Sequence, residues 1–154
     1  MARNERATLD ALDAARAVFA RRVALSDGRI VDTAGDSVLA VFDSVTGAID
    51  AALAVQRDLA IAAMGWASDR VLRYRIGIHL GDVVQKPDGS VYGNGVNVAA
   101  LVQALARPGA IAISAALRGA IGAARPHLRF KDQGVHEVRN IDEPVHVFRI
   151  WNSH

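Results

Sequence analysis

Between about Asn4 and Leu25 the apolar residues Leu9, Leu12, Ala15, Val18, Phe19 and Val23 recur at helical spacing, and Asp27-Gly28 supplies the stop. This predicts a long amphipathic helix. Arg29 to Thr33 and Ser37 to Phe42 are short β-rich runs flanking Ala34-Gly35-Asp36, which reads as a tight hairpin with Asp36 at its tip. Asp43 or Ser44 then caps a second helix to about Met64, with Val45, Ala48, Ile49, Ala52, Val55 and Leu59 facing inward and Gly65 ending it. Val71 to Val84 reads as a strand bent near Gly81, and Lys86-Pro87-Asp88-Gly89 as the turn of a hairpin to Val91-Tyr92.

The third helix is predicted over about Val96 to Ala106, with Val98, Leu101, Val102 and Leu105 on one face, ending before Arg107-Pro108-Gly109. Ile111 to Ile113 is a short buried strand and Ser114 caps a helix to about Ile121. Leu128 to Lys131, His136 to Val138 and Val145 to Ile150 read as closing strands. The order of elements implies an α+β layout, helices against a mostly antiparallel sheet.

Composition narrows the function classes. A length of 154 residues suits one domain spanning 1–154. The formal charge of +2 comes from interspersed signs with no basic run, so no nucleic-acid partner and no anionic membrane surface is expected. With no cysteine, disulfides, thiolate zinc sites and cysteine nucleophiles are excluded. No apolar stretch reaches a membrane span and no signal core follows Met1, so a cytoplasmic location is expected. The five histidines show no spacing that demands a metal.

The most informative stretch is Arg75-Ile76-Gly77-Ile78-His79-Leu80-Gly81-Asp82 followed by Val91-Tyr92-Gly93-Asn94-Gly95-Val96-Asn97-Val98-Ala99-Ala100. It joins a strand to a helix through glycines and places an amide in the helix's first turn. With Asp32-Thr33-Ala34-Gly35-Asp36 and Val138-Arg139-Asn140-Ile141-Asp142-Glu143-Pro144-Val145, it resembles the catalytic domain of class III nucleotidyl cyclases, from about Asn4 to Ile150.

The resemblance implies a ferredoxin-like βαββαβ-type sheet with helices on one face. It also implies that the chain begins just after the family's first strand, an N-terminal truncation relative to the family. It implies an adenylate cyclase-type phosphorus-oxygen lyase, converting a nucleoside triphosphate, ATP ahead of GTP, to its cyclic monophosphate. The site would form between subunits of a homodimer, or of a heterodimer with another cyclase domain. Two Mg²⁺ or Mn²⁺ ions would serve it, because hard cations on carboxylates lower the pKa of the ribose hydroxyl and neutralise phosphate charge. Asp36 matches one metal aspartate; the other has no counterpart. Asp32 and Ser90 match the base-selecting positions, Asn97 the ribose-orienting asparagine and Arg139 the triphosphate-binding lysine. The transition-state arginine is replaced by Leu101.

Alternatives stay open at each position: Asp36 as a turn former, Asp32 and Ser90 as solvated residues, Asn97 as a helix-start amide, and Arg139 as an exposed strand residue. The substitutions imply either an impaired enzyme or a degenerate domain serving in dimerisation and nucleotide sensing.

Overall fold

A computed structural model describes residues 2–34, 36–66, 71–138 and 141–153. The first helix, α1 (Ala2–Leu25), buries Ala11, Ala15 and Val23. The strands β1 (Gly28–Ala34) and β2 (Ser37–Phe42) form the expected antiparallel hairpin, with a register shift between Ile30 and Asp32. The hydroxyl oxygen of Ser44 accepts the Gly47 N–H at 3.0 Å and starts α2 (Val45–Ala62), which buries Ala48, Ile49, Ala51, Ala52 and Val55. The Arg22 guanidinium clamps α1 to α2 by donating from Nε and Nη2 to the two oxygens of Asp58, at 2.6 and 3.1 Å. That contact holds the Asp58 carboxyl below the usual carboxylate range.

The long strand expected over Val71 to Val84 is shorter. Only β3 (Ile76–Ile78) and β4 (Val84–Gln85) are strands. The Tyr74 carbonyl is taken by the Gln56 side-chain amide at 2.9 Å and the Gly109 N–H at 2.9 Å, which draws the backbone before Ile76 out of any ladder. β4 pairs with β5 (Val91–Tyr92) across the predicted turn, closed by the Gly89 N–H on the Lys86 carbonyl. Then come α3 (Asn94–Leu105), β6 (Ile111–Ser114) and α4 (Ala115–Ile121), whose N-cap is Ser114.

The runs at Leu128 to Lys131 and His136 to Val138 belong largely to a single strand, β7 (Leu128–His136), with a bulge between Asp132 and Val135. Gly134 takes φ 89° there and donates its N–H to Asp132 Oδ1 at 2.7 Å. β8 (Val145–Asn152) closes the sheet.

The order β3-β6-β8-β7 has β3 parallel to β6 and the other neighbours antiparallel. The α+β class and ferredoxin-like sheet type hold, but the helices, expected against one face, lie on both. Ile111 and Ile113 of β6 join Ile49 and Ala52 of α2 and Leu117 and Ile121 of α4. Between them Ala112 points the other way, into a cluster with Val98, Val102 and Ala106 of α3 and Val145 and Val147 of β8. Gly77, level with Ala112, lets α3 approach: a Cβ there would lie 2.2 Å from the Gln103 nitrogen.

The hairpin β1–β2 does not pair with the larger sheet. The facing edges of β2 and β3 line a groove of about 310 Å³, with Ala48, Ala52 and Val55 of α2 and Gly95, Val96 and Ala99 of α3 also in its walls.

Candidate functional site

The hairpin β1–β2, the turn between β4 and β5, and the start of α3 carry the residues singled out by sequence. Asp36 occupies the hairpin tip beyond the Ala34–Ser37 pair and is exposed. Its charge reaches Tyr74: burial first, then Asp36, pushes that phenol above its ordinary value. Asp32 is exposed on β1 opposite Leu39.

Ser90 closes the β4–β5 turn and gives both its hydroxyl, at 2.7 Å, and its backbone N–H, at 2.9 Å, to Asp88 Oδ1. The Ser90 hydroxyl is the larger cause of an Asp88 carboxyl held below the ordinary range. Ser90 therefore has lone pairs left for a ligand while its proton is engaged. Arg29 Nη1 donates to the Gly89 carbonyl at 3.0 Å and so ties the strand of Asp32 to the turn of Ser90. Sequence reasoning missed this tether, because nothing local links residues 60 positions apart.

Asn97 is exposed in the first turn of α3, its N–H donating to the Gly93 carbonyl at 3.3 Å. Gly93, the N-cap, sits at φ 123° and offers no side-chain cap; backbone carbonyls take the next N–H groups instead, Gly95 bonding to Asp82 and Val96 to Gly93. Gly95 is buried against the strand end: its N–H donates to the Asp82 carbonyl at 3.0 Å, and a Cβ would lie 2.6 Å from that oxygen. The glycines of Tyr92-Gly93-Asn94-Gly95 thus let the helix start close to Asp82. Leu101, one turn beyond Asn97, packs against the Val98, Val102 and Val147 cluster. Arg139 lies outside the described residues.

His79 Nδ1 stands 2.7 Å from the Ser114 hydroxyl, which also accepts from the Leu117 N–H. Ser114 is 2% exposed. Burial lowers the His79 pKa from its ordinary value, so the ring is a neutral strut between β3 and the α4 cap. The sequence showed Ser114 as a cap, but not this partner.

Among the described residues there is no group of three or more His, Cys, Asp or Glu able to hold a metal. Asp36 alone does not fit a two-ion centre. No helix among the described residues is long and apolar enough to cross a membrane.

Residues 2–150 match the family described as "Adenylate and Guanylate cyclase catalytic domain". A curated relative from Rhizobium meliloti (strain 1021), bearing an adenylate cyclase name, is 38% identical over 149 residues, 96% of this chain. The chain spans 25% of that relative's length. The fold is similar to an adenylate/guanylate cyclase/hydrolase structure from Silicibacter pomeroyi, with TM-score 0.81, 34% identity and coverage of 90% of this chain and 81% of the other. It also matches an adenylyl cyclase structure from P. aeruginosa, with TM-score 0.77, 18% identity and coverage of 95% and 83%.

Proposed function

This chain belongs to the adenylate and guanylate cyclase catalytic domain family, and from that premise we propose that it works as one half of a paired nucleotidyl cyclase with a slow chemical step. The substrate is a nucleoside triphosphate, ATP ahead of GTP. The ribose 3′-oxygen bonds to the α-phosphorus, the bond from that phosphorus to the bridging oxygen of pyrophosphate breaks, and the hydroxyl proton leaves to solvent. The observation that carries this reading is Asn97, exposed in the first turn of a helix whose N-cap offers no side chain; there its amide would meet the ribose and phosphate edge of a ligand held between two subunits.

Asp32 and Ser90 face the base from elements that Arg29 ties together, and Arg139 supplies a fork for the triphosphate. An Asp at position 32 has no ammonium to offer a purine acceptor, so base discrimination is weak. Mg²⁺ or Mn²⁺ serves this family, and Asp36 is the residue offered to it, but one carboxylate does not complete a site. Leu101 contributes packing where a guanidinium would meet charge developing on the α-phosphate, and a contact of that kind is worth about 10²–10³ in turnover.

A second reading, a dimerisation and nucleotide-sensing module, is favoured by one observation, the single carboxylate of Asp36. Product analysis of the purified chain with ATP or GTP and excess Mn²⁺ separates them. Slow cyclic AMP formation supports the enzyme; nucleotide binding without product supports the sensing module.

A further inference from the structure

On the α3 side of the sheet the helix covers Ala112, Val145 and Val147, and no β7 residue joins that cluster. The outer part of this face belongs to alternate positions of β7 and β8. Leu128, Phe130, Phe148 and Ile150 point into the opposite core, so Arg129, Lys131, Arg149 and Trp151 point out on the α3 side. Their register makes them one block: Arg129 stands opposite Trp151 and Lys131 opposite Arg149. The Arg149 guanidinium lies 5.7 Å from the Trp151 ring centre, its buried Nε has no hydrogen-bond partner, and Trp151 is 40% exposed.

Like charges directly opposite across a ladder are destabilising. No acidic residue occupies this face of either strand between residues 128 and 131 or 145 and 151, and no described ion pair engages these three cations. With strands about 4.8 Å apart and same-face residues about 7 Å apart, the head groups span roughly one di- or triphosphate beside an indole face.

We propose that this block binds a compact organic phosphate, its phosphates on Arg129, Lys131 and Arg149 and its planar ring on the open face of Trp151. Its residues belong to β7 and β8, whereas Asn97 belongs to α3. Three clustered cations supply charge complementarity to two or more phosphate charges, and the indole distinguishes a nucleotide from inorganic phosphate.

The test uses tryptophan fluorescence of the full chain in EDTA with Trp66→Phe, which leaves Trp151 as sole reporter. The probes are ATP, pyrophosphate and a thymidine oligonucleotide. A saturable change with ATP is expected, weakened about tenfold by Arg129→Gln or Lys131→Gln, both at exposed positions, and unaffected by Asn97→Ala. Saturation by pyrophosphate as well assigns the affinity to the phosphates; saturation by ATP alone assigns a share to the ring. A linear response, a response indifferent to both charge variants, or tighter binding of the oligonucleotide than of ATP would overturn the proposal.

Discussion

Asn97 and Leu101 stand one turn apart on α3, yet Asn97 is exposed to solvent while Leu101 packs against the cluster of Val98, Val102 and Val147. Four residues turn a helix by only a little more than one full turn, so the two share one face, Asn97 at its solvent edge and Leu101 at its core edge. Leu101→Arg therefore sets two effects against each other. A guanidinium that reaches the phosphate should raise kcat more than it changes KM, because its contact strengthens toward the transition state. Withdrawing a partly buried Leu should cost about 1–3 kcal/mol. Thermal melting and steady-state kinetics on one variant measure both; a folded variant with unchanged kcat would show that position 101 does not reach the nucleotide.

Gly77→Ala should be among the most damaging single changes outside the site. A Cβ would meet Gln103 backbone at 2.2 to 2.5 Å, so α3 must move off β3. A loss of about 1–3 kcal/mol or more is expected, together with weaker nucleotide binding, since the same helix presents Asn97. Urea midpoints read the first effect. An unchanged midpoint would mean that α3 does not pack on Gly77.

His79 predicts the sign of a pH effect. Its pKa is lowered in the folded state by burial, so the unfolded chain binds the proton more readily. Stability from the neutral ring is full above the ordinary value of 6.5 and falls as pH drops from there through the lower folded value. Urea unfolding at neutral and mildly acidic pH should show this loss, and His79→Gln should reduce it. A wild-type pH dependence identical to that of His79→Gln would contradict the assignment.

Local chemistry announced much of this fold. Ser44 and Ser114 cap helices where their hydroxyls reach the first-turn amides, and the first hairpin pairs Ala34 with Ser37 as its sequence led one to expect. Long-range partners did not show. The apolar rhythm from Val71 onward reads as a strand, but only Ile76–Ile78 find neighbours in β6, because Gln56 and Gly109 claim the Tyr74 carbonyl. The gap left between the runs at Leu128 to Lys131 and His136 to Val138 is a bulge inside β7, since Asp132 satisfies the Gly134 N–H within the strand. The packing of Leu101 was legible from helix periodicity, and Asn97 was singled out by the resemblance over Val91 to Ala100, whereas the tether from Arg29 to Gly89 and the pairing of His79 with Ser114 needed the folded chain.

Among the described residues β2 pairs only with β1 and β3 only with β6, and the groove between them has small side chains from α2 and α3 in its walls. An added strand there would be buried on both faces, so it should be apolar throughout rather than alternating. A six-residue Val/Ile/Phe peptide with terminal lysines should raise Tm by a few degrees, about 1 kcal/mol, and a scrambled Ser/Lys/Glu peptide should not. Equal effects of the two peptides would contradict the groove as a strand acceptor.

The most direct test of the account is quantitative mass spectrometry of cyclic nucleotides made by the purified chain and its Asn97→Ala variant with ATP and excess Mn²⁺. Cyclic AMP should accumulate at well under about 1 s⁻¹, a low ordinary enzyme rate, and fall at least about tenfold in Asn97→Ala. Turnover above that rate, or product formation indifferent to Asn97, would contradict it.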